Sequence, residues 1–353
     1  MRRVAHAGDV ISALTELGIV PYAGFTEPNR QLLTQTRRDG DTEYLYVYNY
    51  CDASYIPSHT EGATDTHGTV ISTELAVEGL WEPYQIDAWS GKASAIGSYT
   101  HENGITRFPL TLDYGDIALF ALKPSGDDKL HATLADTQIR YLEDGTLCAV
   151  CTQEGEHSVT LSDGTVQTVN AHVPEAQEIT GWDIRIFSRA PGSERETRTE
   201  TLLGKTVTES VRTTDITEIS LTTDALASWK ELPGVGEDII GTAVYTSAFT
   251  WEGSADGAFL SFGHYTDSYP IVEAMQVYIN GQPTGDLSMT CPVVDISPYL
   301  VQGTNQIELH YESNLSNLLG DTVPAGWWQY HTEKHAYGPR SAHLIPYVIL
   351  PLE

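Results

Sequence analysis

Along most of this chain apolar and polar residues alternate with a period of two, the pattern of strands with one face in a core and one in water. In TEYLYVYNY (42–50), Leu45 and Val47 fall on one face and Tyr44, Tyr46, Tyr48 and Tyr50 on the other. TVISTELAV (69–77), ITRFPLTL (105–112) and DIALFALK (116–123) continue the series, punctuated by turns such as Asp39-Gly40 and Asn103-Gly104. Short strands at this spacing predict a β-sandwich. Two strand–turn–strand units follow, reversing at Asp144-Gly145 and Asp163-Gly164, and after Pro174 a new set begins at GWDIRIFS (181–188). RAPGSERETRTE (189–200) is charge-rich and without apolar alternation, which predicts a polar loop; strands resume at TVTESV (206–211) and AVYTSAFTW (243–251). One helix is predicted. Asp9 caps it, Val10, Ile11, Leu14 and Leu17 share a face, Gly18 ends it and Pro21 prevents restart.

The densest signal spans 258–311. An apolar strand (Ala258–Phe262) precedes an alternating one (Met275, Val277, Ile279), and Asn280-Gly281 then supplies two residues tolerant of positive φ for a tight hairpin. Asp295-Ile296, the turn Gly303-Thr304-Asn305 and the strand Ile307, Leu309, Tyr311 complete the run. The expected organisation is a short helix in 1–20, a sandwich in 21–125, hairpins in 126–178 that complete or extend it, and a further sandwich in 179–353.

Charge changes the picture more than composition does. Against 48 acidic residues stand 19 basic ones, a net charge of −29, and only six of the basic residues are lysines. Such a field repels phosphate backbones and anionic lipid, so neither nucleic acid nor a membrane surface is an expected partner; a neutral or cationic one is. No run of about 18 apolar residues exists, so no membrane-spanning helix is expected. The first residues carry too short an apolar run for a secretory leader. Cys148 and Cys151, three apart in one strand, point to opposite faces, which suits neither a zinc knuckle nor a mutual disulfide.

Candidate chemistry gathers in two places. Glu82 and Asp87 flank Trp81, Tyr84 and Trp89 and are the best local combination of carboxyls with stacking surfaces; the alternative is that the tryptophans fill a core while the acids face water. The segment 324–340 concentrates Trp327, Trp328, Tyr330, His331, His335, Tyr337 and Arg340. Aromatic faces stack on sugars while His and Arg donate to hydroxyls, so these residues form a candidate carbohydrate site unless a neighbouring domain covers them. His331 and His335 lack the intervening Glu of the helical zinc pattern, and neither a metal site nor a cofactor is expected. Asn314-Leu315-Ser316 matches the glycosylation triplet.

The ordered motifs of 258–311 resemble the galactose-binding-like jelly roll carried by many large glycoside hydrolases. Over its whole length the chain resembles the C-terminal half of the family 106 α-L-rhamnosidases. RRDGDTEYLYVYN (37–49), LWEPYQIDAWSGK (80–92), LTLDYGDIALFAL (110–122), LASWKELPG (226–234), GTAVYTSAFTW (241–251) and YGPRSAHLIPYVIL (337–350) carry that likeness. Thr36 departs from it, standing where the family more often has His before Arg37. The resemblance implies an all-β fold of tandem antiparallel sandwiches ending in the jelly roll. It implies a carbohydrate-associated accessory region whose catalytic barrel is absent from this chain, so no position here inherits the family's catalytic carboxylates. With the acidity, it also favours an extracellular setting. The alternative is a free-standing protein that has lost the barrel and binds or transforms a small molecule in a cleft between domains.

Overall fold

The computed structural model describes residues 4, 6, 9–17, 19, 21–26, 32–49, 70–113, 115–126, 129–263, 273–289, 291–319 and 336–353. Strands dominate them; the helices are Val10–Glu16, Ser316–Leu319 and a single 3-10 turn, Ser297–Tyr299. The fold is all-β. Two compact units form, one of residues 1–151, 155–171 and 349–353 and the other of 152–154 and 172–348. On the N-terminal helix Ala13 is buried, whereas Val10, Leu14 and Leu17 are exposed.

In the first unit two antiparallel sheets enclose one core. One sheet orders Ala23–Phe25, Ile71–Glu78, Ile105–Leu112 and Thr100–Glu102; the other orders Leu32–Asp39, Thr42–Asn49, Ile117–Pro124, Trp81–Ile86 and Ala93–Ala95. The period-two pattern decides which residues meet. Leu45, Val47, Leu75, Val77, Phe108, Phe120 and Leu122 face inward, and the rings of Phe108 and Phe120 pack edge-on at 5.1 Å. Each such side chain contributes roughly 1.5–3 kcal/mol by leaving water. A three-stranded sheet (Ala132–Ala135, Gly155–Leu161, Val166–Ala171) and the hairpin Gln138–Tyr141/Leu147–Cys151 adjoin this sandwich. The junction is a pair of backbone bonds, Ala132 N to Gly97 O at 2.8 Å and Tyr99 N to Ala132 O at 2.9 Å. Every residue of Leu147–Cys151 is buried, so both thiols are enclosed although they lie on opposite faces. Both are free, and burial pushes their pKa values up.

The second unit is another sandwich. Its larger sheet runs Lys205–Thr223, Trp182–Leu202, Gly241–Trp251, Gly303–Ser313, Glu273–Ile279 and Gln282–Asp286. Facing it, Gly257–Ser261 lies between Val293–Asp295 and His343–Pro351, and Gln177–Glu178 also pairs with the last. Ile184, Ile186, Val277, Ile279, Ile307 and Leu309 meet Ala258, Leu260 and Leu344 in one core.

Three separated sequence motifs lock this sandwich. Asn280 and Gly281 take φ values of 52° and 76° and turn the hairpin. The Asn280 amide donates to Asn305 Oδ1 at 2.9 Å and to the Tyr299 carbonyl at 3.0 Å. Asn305, fully buried, also accepts from Val301 N and donates to the carbonyls of Val301 and Gly303. Asp295 accepts from Ser297 N at 3.0 Å, from the Ser297 hydroxyl and from the Tyr347 hydroxyl. Asn280 supplies the positive φ of its hairpin, whereas Asp295 and Asn305 each close a turn with their own side chain.

One expectation is overturned. Residues 189–200 are not a loop: they lie within the strand Trp182–Leu202, paired with Lys205–Thr223. Pairing to a neighbour, rather than burial of a face, holds them extended, so hydrophobic alternation was never required.

Candidate functional site

The two carboxyls singled out near the tryptophans both have structural partners in the first unit. Glu82, on strand Trp81–Ile86, pairs with the Lys129 ammonium and accepts from Tyr84. Although burial alone would raise its pKa, those hydrogen bonds and the charges of Lys129 and Lys123 hold Glu82 below the usual carboxylate value. It is therefore a fixed anion and not a proton donor. Lys129 also sits 3.9 Å from the Tyr141 ring centroid, and Lys123 sits 4.4 Å from that of Tyr84. Burial, with Glu82 beside it, pushes the Tyr84 phenol up to about 12. Nearby, His131 stacks on Tyr99 at 3.8 Å and donates Nδ1–H to the Lys129 carbonyl, while His101 donates to the Trp81 carbonyl. Desolvation lowers the His131 pKa, which keeps the imidazole neutral. The whole group is closed upon itself, with each cation already over a ring.

Asp87 accepts from both the backbone N and the hydroxyl of Ser90 at 2.6 Å, which closes a turn and lowers its pKa. Trp81 is buried and donates Nε1–H to the Glu78 carbonyl, whereas Trp89 is 62% exposed. Only the first of these tryptophans is core.

Of the segment expected to hold sugar, Trp327, Trp328, Tyr330, His331 and His335 lie outside the described residues. Arg340 is described, and it brings a different set of residues together. Around the stretch Tyr337–Arg340, the second unit builds an aromatic cage from Trp229, Tyr245, Tyr311 and Tyr337, all fully buried. Trp229 meets Tyr311 edge-on at 5.2 Å and Tyr337 at 6.0 Å, and Tyr245 meets Tyr311 at 6.4 Å. Ser228 and Glu231 hold Trp229 in place: the Glu231 carboxylate accepts from both the N–H and the hydroxyl of Ser228. The polar tips inside the cage are paired. Trp229 Nε1 donates to Tyr245 Oη at 2.6 Å, Trp229 N donates to the Tyr337 carbonyl at 2.7 Å, and Tyr337 Oη donates to Asn314 Oδ1. The glycosylation triplet thus begins at a half-buried side chain already engaged by a core tyrosine.

At the edge of this cage stands Glu273, the first residue of strand Glu273–Ile279. Gly338 N donates to Tyr311 Oη at 2.6 Å, and Tyr311 in turn hydrogen-bonds Glu273. Glu273 is half-buried; its Oε2 is shut off from solvent without a hydrogen-bond partner. Desolvation raises its pKa to about 7, against the opposing pulls of the Tyr311 hydroxyl and the Arg340 charge. This carboxyl therefore keeps its proton to a higher pH than an ordinary glutamate does. Sequence reasoning did not single out Glu273, because one Glu among 48 acids carries no local mark. Among the described residues no group of three or more His, Cys, Asp and Glu is arranged to hold a metal ion.

No protein-family model and no curated protein matches the chain. Among solved structures, a rhamnosidase from Novosphingobium sp. PP1Y aligns with 96% of this chain at 18% identity and a TM-score of 0.55. The matched part is 26% of that rhamnosidase, so this chain spans about a quarter of its length. An α-L-rhamnosidase from Aspergillus terreus aligns with 58% of this chain and 28% of its own, at 12% identity and a TM-score of 0.20, too low to support an argument. The first likeness is one of fold, and the fold is rhamnosidase-like.

Proposed function

We propose that this chain is an accessory β-region of a glycoside hydrolase of the family 106 α-L-rhamnosidase type, and that its second unit is a galactose-binding-like module holding a neutral sugar. One observation carries the reading: nearly the whole chain follows a quarter of a rhamnosidase chain in fold. The Glu273–Tyr311–Arg340 group supports the sugar-binding part. Arg340 supplies donors, a protonated Glu273 supplies a donor and an acceptor, and sugar hydroxyls use both. Trp327, Trp328, Tyr330, His331 and His335, close by in sequence, would add stacking and further hydrogen bonds. A net charge of −29 favours such an uncharged ligand. The partner in catalysis would be a separate barrel domain, since the pairings that build the sheets here, such as Ile71–Glu78 with Ile105–Leu112 and Gly241–Trp251 with Gly303–Ser313, are antiparallel, unlike those of a barrel.

Two measurements test this. Calorimetric titration with rhamnose and galactose should give saturable binding on the order of 0.1–1 mM, or about 4–5.5 kcal/mol, lost in Arg340→Ala and Trp327→Ala. Absence of binding, with both variants simply less stable, would return these residues to a structural role. Assay with an aryl α-L-rhamnoside should show no turnover by this chain alone. The raised pKa of Glu273 favours a second reading, in which this carboxyl itself takes part in transforming a small molecule. Turnover that disappears in Glu273→Gln would establish that reading in place of the first.

A further inference from the structure

The strand Trp182–Leu202 outruns its neighbours. Asp183–Ser188 pairs with Gly241–Thr246 on one side, and Trp182–Pro191 pairs with Thr214–Thr223 on the other. After an irregularity between Pro191 and Arg195, residues Arg195–Leu202 pair only with Lys205–Arg212. The ribbon closes at Leu203-Gly204, with φ values of 50° and 76°, and Leu203 is 97% exposed. All other described side chains from Ser193 to Ser210 are exposed too. At about 3.3 Å per residue, an arm from Pro191 to the tip reaches roughly 40 Å. A two-stranded ribbon with nothing on either face is marginal in water.

Register sorts its side chains, because directly paired residues share a face. One face carries Arg195 with Arg212, Thr197 with Ser210, Thr199 with Thr208 and Thr201 with Thr206: six hydroxyls, two guanidinium groups and no carboxylate. It is a connected surface. Arg195 Nε donates to Ser210 Oγ at 2.9 Å, and the Thr199 and Thr208 hydroxyls lie 3.0 Å apart. The other face holds Glu196, Arg198, Glu200, Lys205, Val207, Glu209 and Val211, with Arg198 paired to Glu196 at 2.7 Å. The first face is thus cationic on a chain whose net charge is −29.

We propose that this Thr/Arg face of the arm docks on a carboxylate-bearing surface of a second copy of the chain, in a two-fold pair that exchanges arms. Each copy then both gives and receives the contact, so every pairing is made twice. With 48 acidic residues and 19 basic ones, each copy carries the carboxylates that Arg195 and Arg212 require. The arm's reach eases the repulsion between two acidic bodies. Arg195 and Arg212 stand about 13 Å beyond Pro191, more than one Debye length of roughly 8 Å at physiological ionic strength, which weakens the repulsion between the bodies. Only the acid-free face comes into contact.

Sedimentation of the whole chain at physiological ionic strength tests the proposal. The expected result is a concentration-dependent dimer of twice the 38.7 kDa chain mass. The double variant Arg195→Glu/Arg212→Glu should weaken it about 10,000-fold, tenfold for each of the four guanidinium contacts that the symmetric pair loses. At concentrations where both are monomeric its melting curve should match that of the wild type, because these side chains are outside the core. Trypsin should cut after Arg195, Arg198, Lys205 and Arg212 more slowly as the dimer fills. A monomer at every concentration, or a dimer indifferent to the charge reversal, would overturn the proposal. So would binding of polyglutamate through Arg195 and Arg212 by a chain that stays monomeric, which would assign the face to a polyanion.

Discussion

The Tyr311 hydroxyl accepts the backbone N–H of Gly338 at 2.6 Å, and its own proton turns to the Glu273 carboxyl. One oxygen therefore joins Gly338 to Glu273, a half-buried acid whose pKa is raised. Tyr311→Phe keeps the ring against Trp229 and Tyr245 but leaves the Gly338 N–H and Glu273 without this partner. The expected cost is about 1–3 kcal/mol, read as a lower melting temperature. The Glu273 pKa should rise further, since the lost hydrogen bond stabilised its anion; carboxyl titration by NMR checks this.

Glu273 should govern stability between mildly acid and neutral pH. Its pKa rises from 4.5 to about 7 on folding. The folded state holds the proton more tightly, so stability is greatest below 4.5, falls as pH rises, and has lost the whole contribution above 7. At 1.36 kcal/mol per pH unit the span is roughly 3 kcal/mol. Glu273→Gln should flatten the dependence of melting temperature on pH over that window and be more stable than the wild type at pH 8. An unchanged profile in the variant would show that another group is responsible.

Gly338→Ala should damage the cage. Gly338 has φ 101°, and a Cβ there would lie 2.9 Å from Trp229 Cδ1 and 3.0 Å from Tyr245 Oη, both immobile core atoms. Backbone strain alone costs about 1–3 kcal/mol, with steric displacement added. Chemical denaturation should show a reduced midpoint, and sugar binding, if Arg340 supplies it, should fall with it.

Asn305→Ala should be among the most destabilising polar substitutions in the second unit. Its amide makes four hydrogen bonds without any exposure to water, to Val301 twice, Gly303 and Asn280. Removal strands several buried partners at about 1–3 kcal/mol each, partly relieved by water. Asn280→Ala should cost less, because the hairpin backbone remains. Melting curves of the two variants test that order.

How much of this was legible beforehand depended on the distance over which each feature is decided. The all-β class and the inward faces of 42–49, 105–112 and 117–124 follow from side-chain alternation, which is local: a one-residue shift would expose Leu45 and Phe120 together. The motifs Asn280-Gly281, Asp295-Ile296-Ser297 and Gly303-Thr304-Asn305 were equally readable, because each closes its own turn. The arm was not, since Thr, Glu and Arg in 195–201 bury no face and stay extended only through register with 205–212. Nor was Glu273. Its proton depends on burial, on Tyr311 from the adjacent strand and on Arg340 from 67 positions away, and a carboxyl's desolvation is set by what the fold packs around it, not by its neighbours in sequence. Tertiary structure likewise gave Glu82 to Lys129, which turns an acid with a catalytic look into an ion pair, whereas Asp87 closes a local turn with Ser90, three residues on.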